Sequence, residues 1–533
     1  MIVGWGSAMS APQSFTSGQE MMDTGGGAIG GSATSSVREA PTGRERFAAV
    51  WVFLAAWLAY ATVLLVSSRD LFTRVVAEEG DGATISIQVL AAKDFELLVG
   101  NYSRVGFHHP GPALIYVHAL GEWLFYDVLR LVPSPWNGQA IAILLFNAAM
   151  VASALSIVYA WYPSWRLVAG LGGVSVLFLA GYPGLLSGIG LPYVYFAPFL
   201  LFLVAVSSVV AGRTGHLWAG ALAGGLLIHG HAEFLFFVSL LGGAGLYLVW
   251  RCKLAVAEKD WWLFGGIAAL FAFPIVLNTI VNFPGELPKY VGYGGGHGIH
   301  MPWTAVSYTV QFWGPNRLLG VAILVALFVL VRLVARGEKF LTCGLSVCAA
   351  AVALMAAYAM IGIDQINEAY IGYFSYAIPL FMFMLLLVGL AQRIGRLKGA
   401  AVGLLVVGLV VSGMTNSLTN RRPEMGGVPA TVAAMAEVAG DRSIVLERRP
   451  HEAWAEVVAL VLSGARSGIR VCADDAARME LLVTAAFVCT PAELATGARF
   501  TVTRKDAGVP VGRVVGEMGL PDGKQQSWVT AEG

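Results

Sequence analysis

The chain has 533 residues, 57% of them hydrophobic and only 13% charged, with a net charge of +1 and a mean hydropathy of +0.70. Soluble domains carry about 25% charged residues, so this is an integral membrane protein. No basic run suggests a nucleic-acid partner, and five cysteines in such a length exclude a disulfide-built scaffold.

Residues 1–44 are polar and rich in Gly and Ser, which predicts a disordered cytoplasmic tail, and no secretory signal peptide is evident in them. About 20 mostly apolar residues cross a hydrocarbon core of about 30 Å. By that measure, spans are predicted at 47–67, 138–161, 166–182, 193–211, 214–230, 232–250, 261–282, 316–336, 341–362, 373–391 and 399–415. Basic residues decide how 111–131 is read, because cytoplasmic loops concentrate Lys and Arg. Arg44 and Arg46 precede the first span and place it with its N-terminus inside. The turns holding Arg166, Arg213, Arg251 with Lys253, Arg332 to Lys339, and Arg393 to Lys398 fall inside only if 111–131 does not cross. That segment, with His118, Glu122, Trp123, Phe125 and Tyr126, is therefore expected to lie along the outer interface. Eleven spans result, with the N-terminus inside and the C-terminus outside.

This topology puts His108, His109, His118, His229, His231, His297, His300 and His451 at or beyond the outer face, with His216 alone inside. Glu78, Glu79, Asp81, Asp94, Glu233, Glu286, Asp364 and Glu368 fall on the same side. Ionisable groups beside apolar spans are costly and mark function or pairing, so one outward-facing site is expected.

Within the first outer loop, 68–137, Asp81 falls at or just before a predicted helix start, where free N–H groups stabilise a carboxylate. An ordinary N-cap is the alternative. Pro110 and Pro112 restrict the backbone behind His108 and His109. Those imidazoles suit hydrogen bonds to an acceptor or, protonated, contact with a phosphate. Arg104 suits a phosphate better, since its guanidinium reaches two oxygens at once. Headgroup contact is the competing reading.

Further along, "HGHAEF" carries His229, His231 and Glu233 at an outer turn, without a spacing that identifies zinc. The glycine- and aromatic-rich stretch 282–304 is a candidate covering loop, with Lys289 for an anionic group and Tyr290, Tyr293, His300 and Trp303 for substrate or interface. Asp364, Asn367 and Glu368 mark another outer turn. From about 416 the pattern changes. "DRSIVLERR", "IRVCADD" and "RFTVTRK" read as strands and 451–468 as an amphipathic helix, which predicts a small extracytoplasmic α/β domain, 416–533. Cys472 and Cys489 both lie in it, either disulfide-bonded or as two buried thiols.

A first span, an outer loop opening with acidic residues, and then "GNYSRVGFHHPGP" before an amphipathic helix resemble the GT-C class of polytopic glycosyltransferases, nearest its family 39-like actinobacterial members. The likeness in layout covers about 45–415; the motifs are confined to the first loop. The resemblance implies a transfer, with inversion, from a polyprenyl-phosphate sugar donor to an extracytoplasmic glycan, lipid or protein acceptor. It also implies an acidic motif in that loop. Glu79-Gly80-Asp81 fits as E-x-D, with Asp81 as general base and Glu79 as the other choice. Some members of the class use a divalent cation, Mg or Mn, which Glu79 and Asp81 would hold here. The substrate-binding candidates are Arg104, His108, His109, His229, His231, Glu233, Lys289, Tyr293 and His300. A transporter or flippase of lipid-linked sugars is the competing class. It favours polar midplane residues and repeated halves, and neither is visible. A polysaccharide polymerase or ligase is a third reading, although its large outer loop lies later in the chain.

Overall fold

The computed structural model describes residues 43–182, 184–294, 298–395, 425–449, 453–506, 509–520 and 526–531. The expected N-terminal tail, the span at 399–415, His297 and His451 lie outside the described residues. Eight helices are long and apolar enough to cross a membrane: Phe47–Ser67, Pro135–Trp161, Leu191–Val210, Glu233–Arg251, Glu258–Val281, Arg317–Val334, Lys339–Ile361 and Ala369–Arg393. They coincide with eight of the expected spans. Two more expected spans fold as shorter helices, Trp165–Gly181 and Leu217–Gly230.

Leu191–Val210 is apolar on all sides, the pattern of a helix surrounded by others, and 89% of its apolar window is buried. Pro135–Trp161 packs against it and against Gly43–Ser67. At the opposite extreme, Glu258–Val281 is 6% buried and turns Leu270, Phe273, Val276 and Ile280 outward. It is the least buried of the eight. At one end of the bundle, Phe199, Phe234, Phe237 and Phe374 form a dry aromatic knot, with Phe374 at 4.9–5.0 Å ring separation from the other three.

The first loop folds over that end. It contains the helix Gly80–Lys93 and a two-stranded antiparallel hairpin, β1 (Tyr102–Ser103) with β2 (Phe107–His108). The helix Ala113–Gly121 then continues as π-helical Glu122–Val128. With 9 and 7 residues, the pair is shorter than the roughly 20 residues a crossing needs. Gly121 and Gly138 let it lie on Pro135–Trp161, because a Cβ at Gly121 would come within 2.5 Å of the Gly138 carbonyl oxygen.

The C-terminal domain carries a five-stranded sheet in the order β4 (Val471–Ala473), β3 (Ile444–Arg449), β5 (Ala498–Arg504), β7 (Gln526–Ala531), β6 (Arg513–Gly519). β4, β3 and β5 run parallel, and β7 and β6 pair antiparallel. Sequence reading places β3, β4, β5 and the helix Trp454–Arg466 and misses β6 and β7. Cys472 and Cys489 are disulfide-bonded. The sheet domain does not stand apart: Ala83 and Ile87 from the first-loop helix are buried in its hydrophobic core beside Val457 and Val461.

Candidate functional site

The helix Gly80–Lys93 starts abruptly. Glu79 is extended at its N-cap, and Gly80 takes φ +51, a left-handed conformation that favours glycine. That turn puts Asp81 in the first helical turn, exposed, where the helix dipole favours negative charge. Its Oδ1 accepts a hydrogen bond from the Tyr102 phenol of β1. Burial, and then the Asp81 charge, push that phenol above its ordinary range, so it stays a proton donor. Glu79 has a different role: its carboxylate accepts from the backbone N–H of Met425 at 2.9 Å, at the edge of the C-terminal domain.

Arg104, in the hairpin turn, forms an ion pair with Asp364 from the turn after Lys339–Ile361, 260 residues away in sequence. Tyr293 lies against the same Asp364. Burial first, then that carboxylate, push the Tyr293 phenol up to about 12. Tyr370 sits in the combined field of Arg104, Glu368, Asp81 and Asp364. The turns that carry Asp81, Arg104 and Asp364 thus meet around Tyr370.

Beside them, the rings of His109 and His231 lie against each other, tilted by 38° with centroids 4.0 Å apart. His109 is 4% exposed and its Nδ1 accepts from the Ala232 N–H at 3.3 Å. Burial, then the neighbouring His231 and His108, hold it well below the ordinary histidine range. His231 is lowered too, by burial and then Arg104. It keeps 30% of its side-chain surface exposed, so the effect is weaker there. Both rings are neutral at pH 7, which favours hydrogen bonding to hydroxyls over the imidazolium–phosphate contact. Glu233 lies next to them, with Oε1 3.5 Å from His231 Nδ1 and the Tyr358 phenol against its carboxylate.

Other expected site residues hold the scaffold. His229 uses both ring nitrogens: Nδ1 accepts from the Ala113 N–H at 3.2 Å, and Nε2 meets the Phe271 carbonyl at 2.6 Å. That pairing fixes the Nε2–H tautomer and docks the helix Ala113–Gly121. His108 donates its N–H to Glu286 at 2.9 Å, and its carbonyl accepts from Tyr290 at 2.6 Å. Its ring is lowered by burial. Lys289 pairs with Glu286 at 2.8 Å. His300 is tied to the Met360 and Ile363 carbonyls at 2.9 and 2.7 Å. The loop after Glu258–Val281 is therefore clamped on the hairpin, with Lys289 committed to Glu286.

Sequence reading missed Arg466. It enters from the C-terminal domain between two first-loop carboxylates, meeting Glu78 at 2.7 Å through two nitrogens and Glu122 at 3.1 Å. Lys93 joins Glu122 at 3.0 Å and Asp127 at 2.5 Å, and Gln139 donates to Glu122 at 2.8 Å. Burial alone would raise Glu122. Arg466, Gln139 and Lys93 outweigh it and hold the carboxyl below its ordinary range. Glu78 is thus a structural anchor outside the exposed cluster. Among the described residues, no group of three or more His, Cys, Asp or Glu is arranged to hold a metal.

No protein-family model and no curated protein matches the chain.

Proposed function

We propose that the chain is a GT-C-type membrane glycosyltransferase, moving a sugar from a polyprenyl-phosphate donor to an extracytoplasmic acceptor with inversion. The eleven-span topology, with the N-terminus inside, belongs to the same proposal. The carrying observation is the exposed Asp81 carboxylate at a helix start, which shares the surroundings of Tyr370 with the Arg104–Asp364 pair, while Arg104 also acts on His231 of the neutral His109–His231 pair.

In this reading Asp81 takes the proton of an acceptor hydroxyl as that oxygen bonds to the anomeric carbon. The bond from that carbon to the phosphate oxygen breaks, and polyprenyl phosphate leaves with the electron pair. Asp81 is preferred to Glu79 because Glu79 is engaged with Met425. Arg104 binds the phosphate with its planar fork, exchanging Asp364 for the donor. His109 and His231 orient sugar hydroxyls. No step is assigned to a divalent cation, and Glu79 with Asp81 are the residues to test if one is required.

The test is incubation of the purified protein in lipid with a panel of polyprenyl-phosphate sugars and a crude envelope acceptor fraction. Release of polyprenyl phosphate with an inverted glycosidic bond in the product is the expected result. A retained anomeric configuration, or sugar-carrier translocation without release, would overturn the reading.

A further inference from the structure

Glu233–Arg251 begins beside the site and, at 19 residues, carries its other end about 28 Å away. There its last turns, the connection 252–257 and Trp261 of Glu258–Val281 line an open groove of about 530 Å³. Its floor and walls are apolar: Leu246, Val249, Leu254 and Val256, continuous with a small core around Val209 and Leu217. Arg251 and Lys253 stand at its rim, exposed, and neither side chain has a partner among the described residues. Trp250 and Trp261 flank them. The carboxylates nearby do not neutralise the rim. Glu258 accepts from the Trp262 indole at 3.3 Å, and Asp260 lies beside Gly215.

A cleft with apolar walls, two free cations and indoles at its mouth matches one molecule: a lipid with an anionic phosphate headgroup. The lipid reading is favoured over a free phosphate because the groove opens between lipid-facing helices. Glu258–Val281 is 6% buried, and Tyr247 and Trp262 are exposed next to the groove. A free anion would use the rim and leave the apolar walls wet.

We infer that this groove binds an anionic phospholipid, its phosphate held by Arg251 and Lys253 and an acyl chain laid along Leu246, Val249 and Leu254. The site is independent of the glycosyltransferase reading and needs only that these two helices span a bilayer.

The experiment is native mass spectrometry of the full chain in detergent with phosphatidylglycerol or phosphatidylcholine. It compares the wild type, Arg251→Gln/Lys253→Gln, and Arg336→Gln/Lys339→Gln, which removes the same charge from another helix connection. The wild type and the control pair are expected to retain phosphatidylglycerol. The groove pair should retain it about 30-fold less, the scale expected for two basic side chains at a membrane surface. Equal retention by the groove pair, equal retention of phosphatidylcholine, or displacement by excess inorganic phosphate would each overturn the proposal.

Discussion

Asp81 and its neighbours separate roles that sequence position alone leaves merged. Asp81→Asn keeps the shape and the Tyr102 contact while removing a base. Loss of turnover by about 10²-fold or more is expected if general base catalysis is its role, with an unchanged unfolding temperature. Arg104→Ala should weaken donor binding more than it slows turnover of bound donor, and should leave Asp364 with only Tyr293 and the Gln365 N–H against it. An unchanged donor affinity in a titration would assign Arg104 to headgroup contact instead. The histidines supply a pH prediction. His118, buried beside Gln139 and Glu122, is pushed down to about 4 by burial, and His109 is also lowered. An unfolded histidine titrates near 6.5, so between about 6.5 and 4 the unfolded chain binds more protons than the folded one. Stability is full above that window and falls as pH drops through it. Thermal unfolding in detergent should shift downward from pH 7 to pH 5, less steeply in His118→Leu. Identical slopes would remove His118 from the account.

Between elements, Arg466 is held between Glu78 and Glu122 and ties the C-terminal domain to the first loop. Removing one partner of a buried ion network leaves uncompensated charge, which costs about 3–5 kcal/mol. Arg466→Met should therefore loosen the C-terminal domain from the helix Gly80–Lys93, read as faster hydrogen exchange across Ala83–Ile87. Unchanged exchange there would show that the shared apolar core alone carries the docking. This tie also shows where sequence reading stops. Long apolar runs announce themselves, so Pro135–Trp161 and Lys339–Ile361 were legible nearly to their ends. The short helix Ala113–Val128 was legible from charge placement. β6 was not, because "RVVGEMG" shows no alternation and only Met518 in it is buried. Nor was Arg466, whose meaning depends on carboxylates more than 340 residues away. The E-x-D pair was visible, but its division of labour was not, since Met425 claims Glu79 only in the fold.

At the scale of the molecule, the proposed orientation puts the Asp81 site and the sheet domain outside and the Arg251 groove inside. Cys252 is exposed at the groove end, and Val509 is 81% exposed in the sheet domain. In intact cells, a membrane-impermeant maleimide should label Val509→Cys and spare Cys252, in a chain whose other free thiols, Cys343 and Cys348, are replaced by Ser. The reverse pattern would invert the topology and, with it, the compartment of the site.

The most direct test of the central claim compares release of polyprenyl phosphate by the wild type, Asp81→Asn and Glu79→Gln on a donor that the wild type turns over. The expected result is release by the wild type and by Glu79→Gln, with Asp81→Asn still binding donor and releasing nothing. Wild-type release by Asp81→Asn would contradict the account.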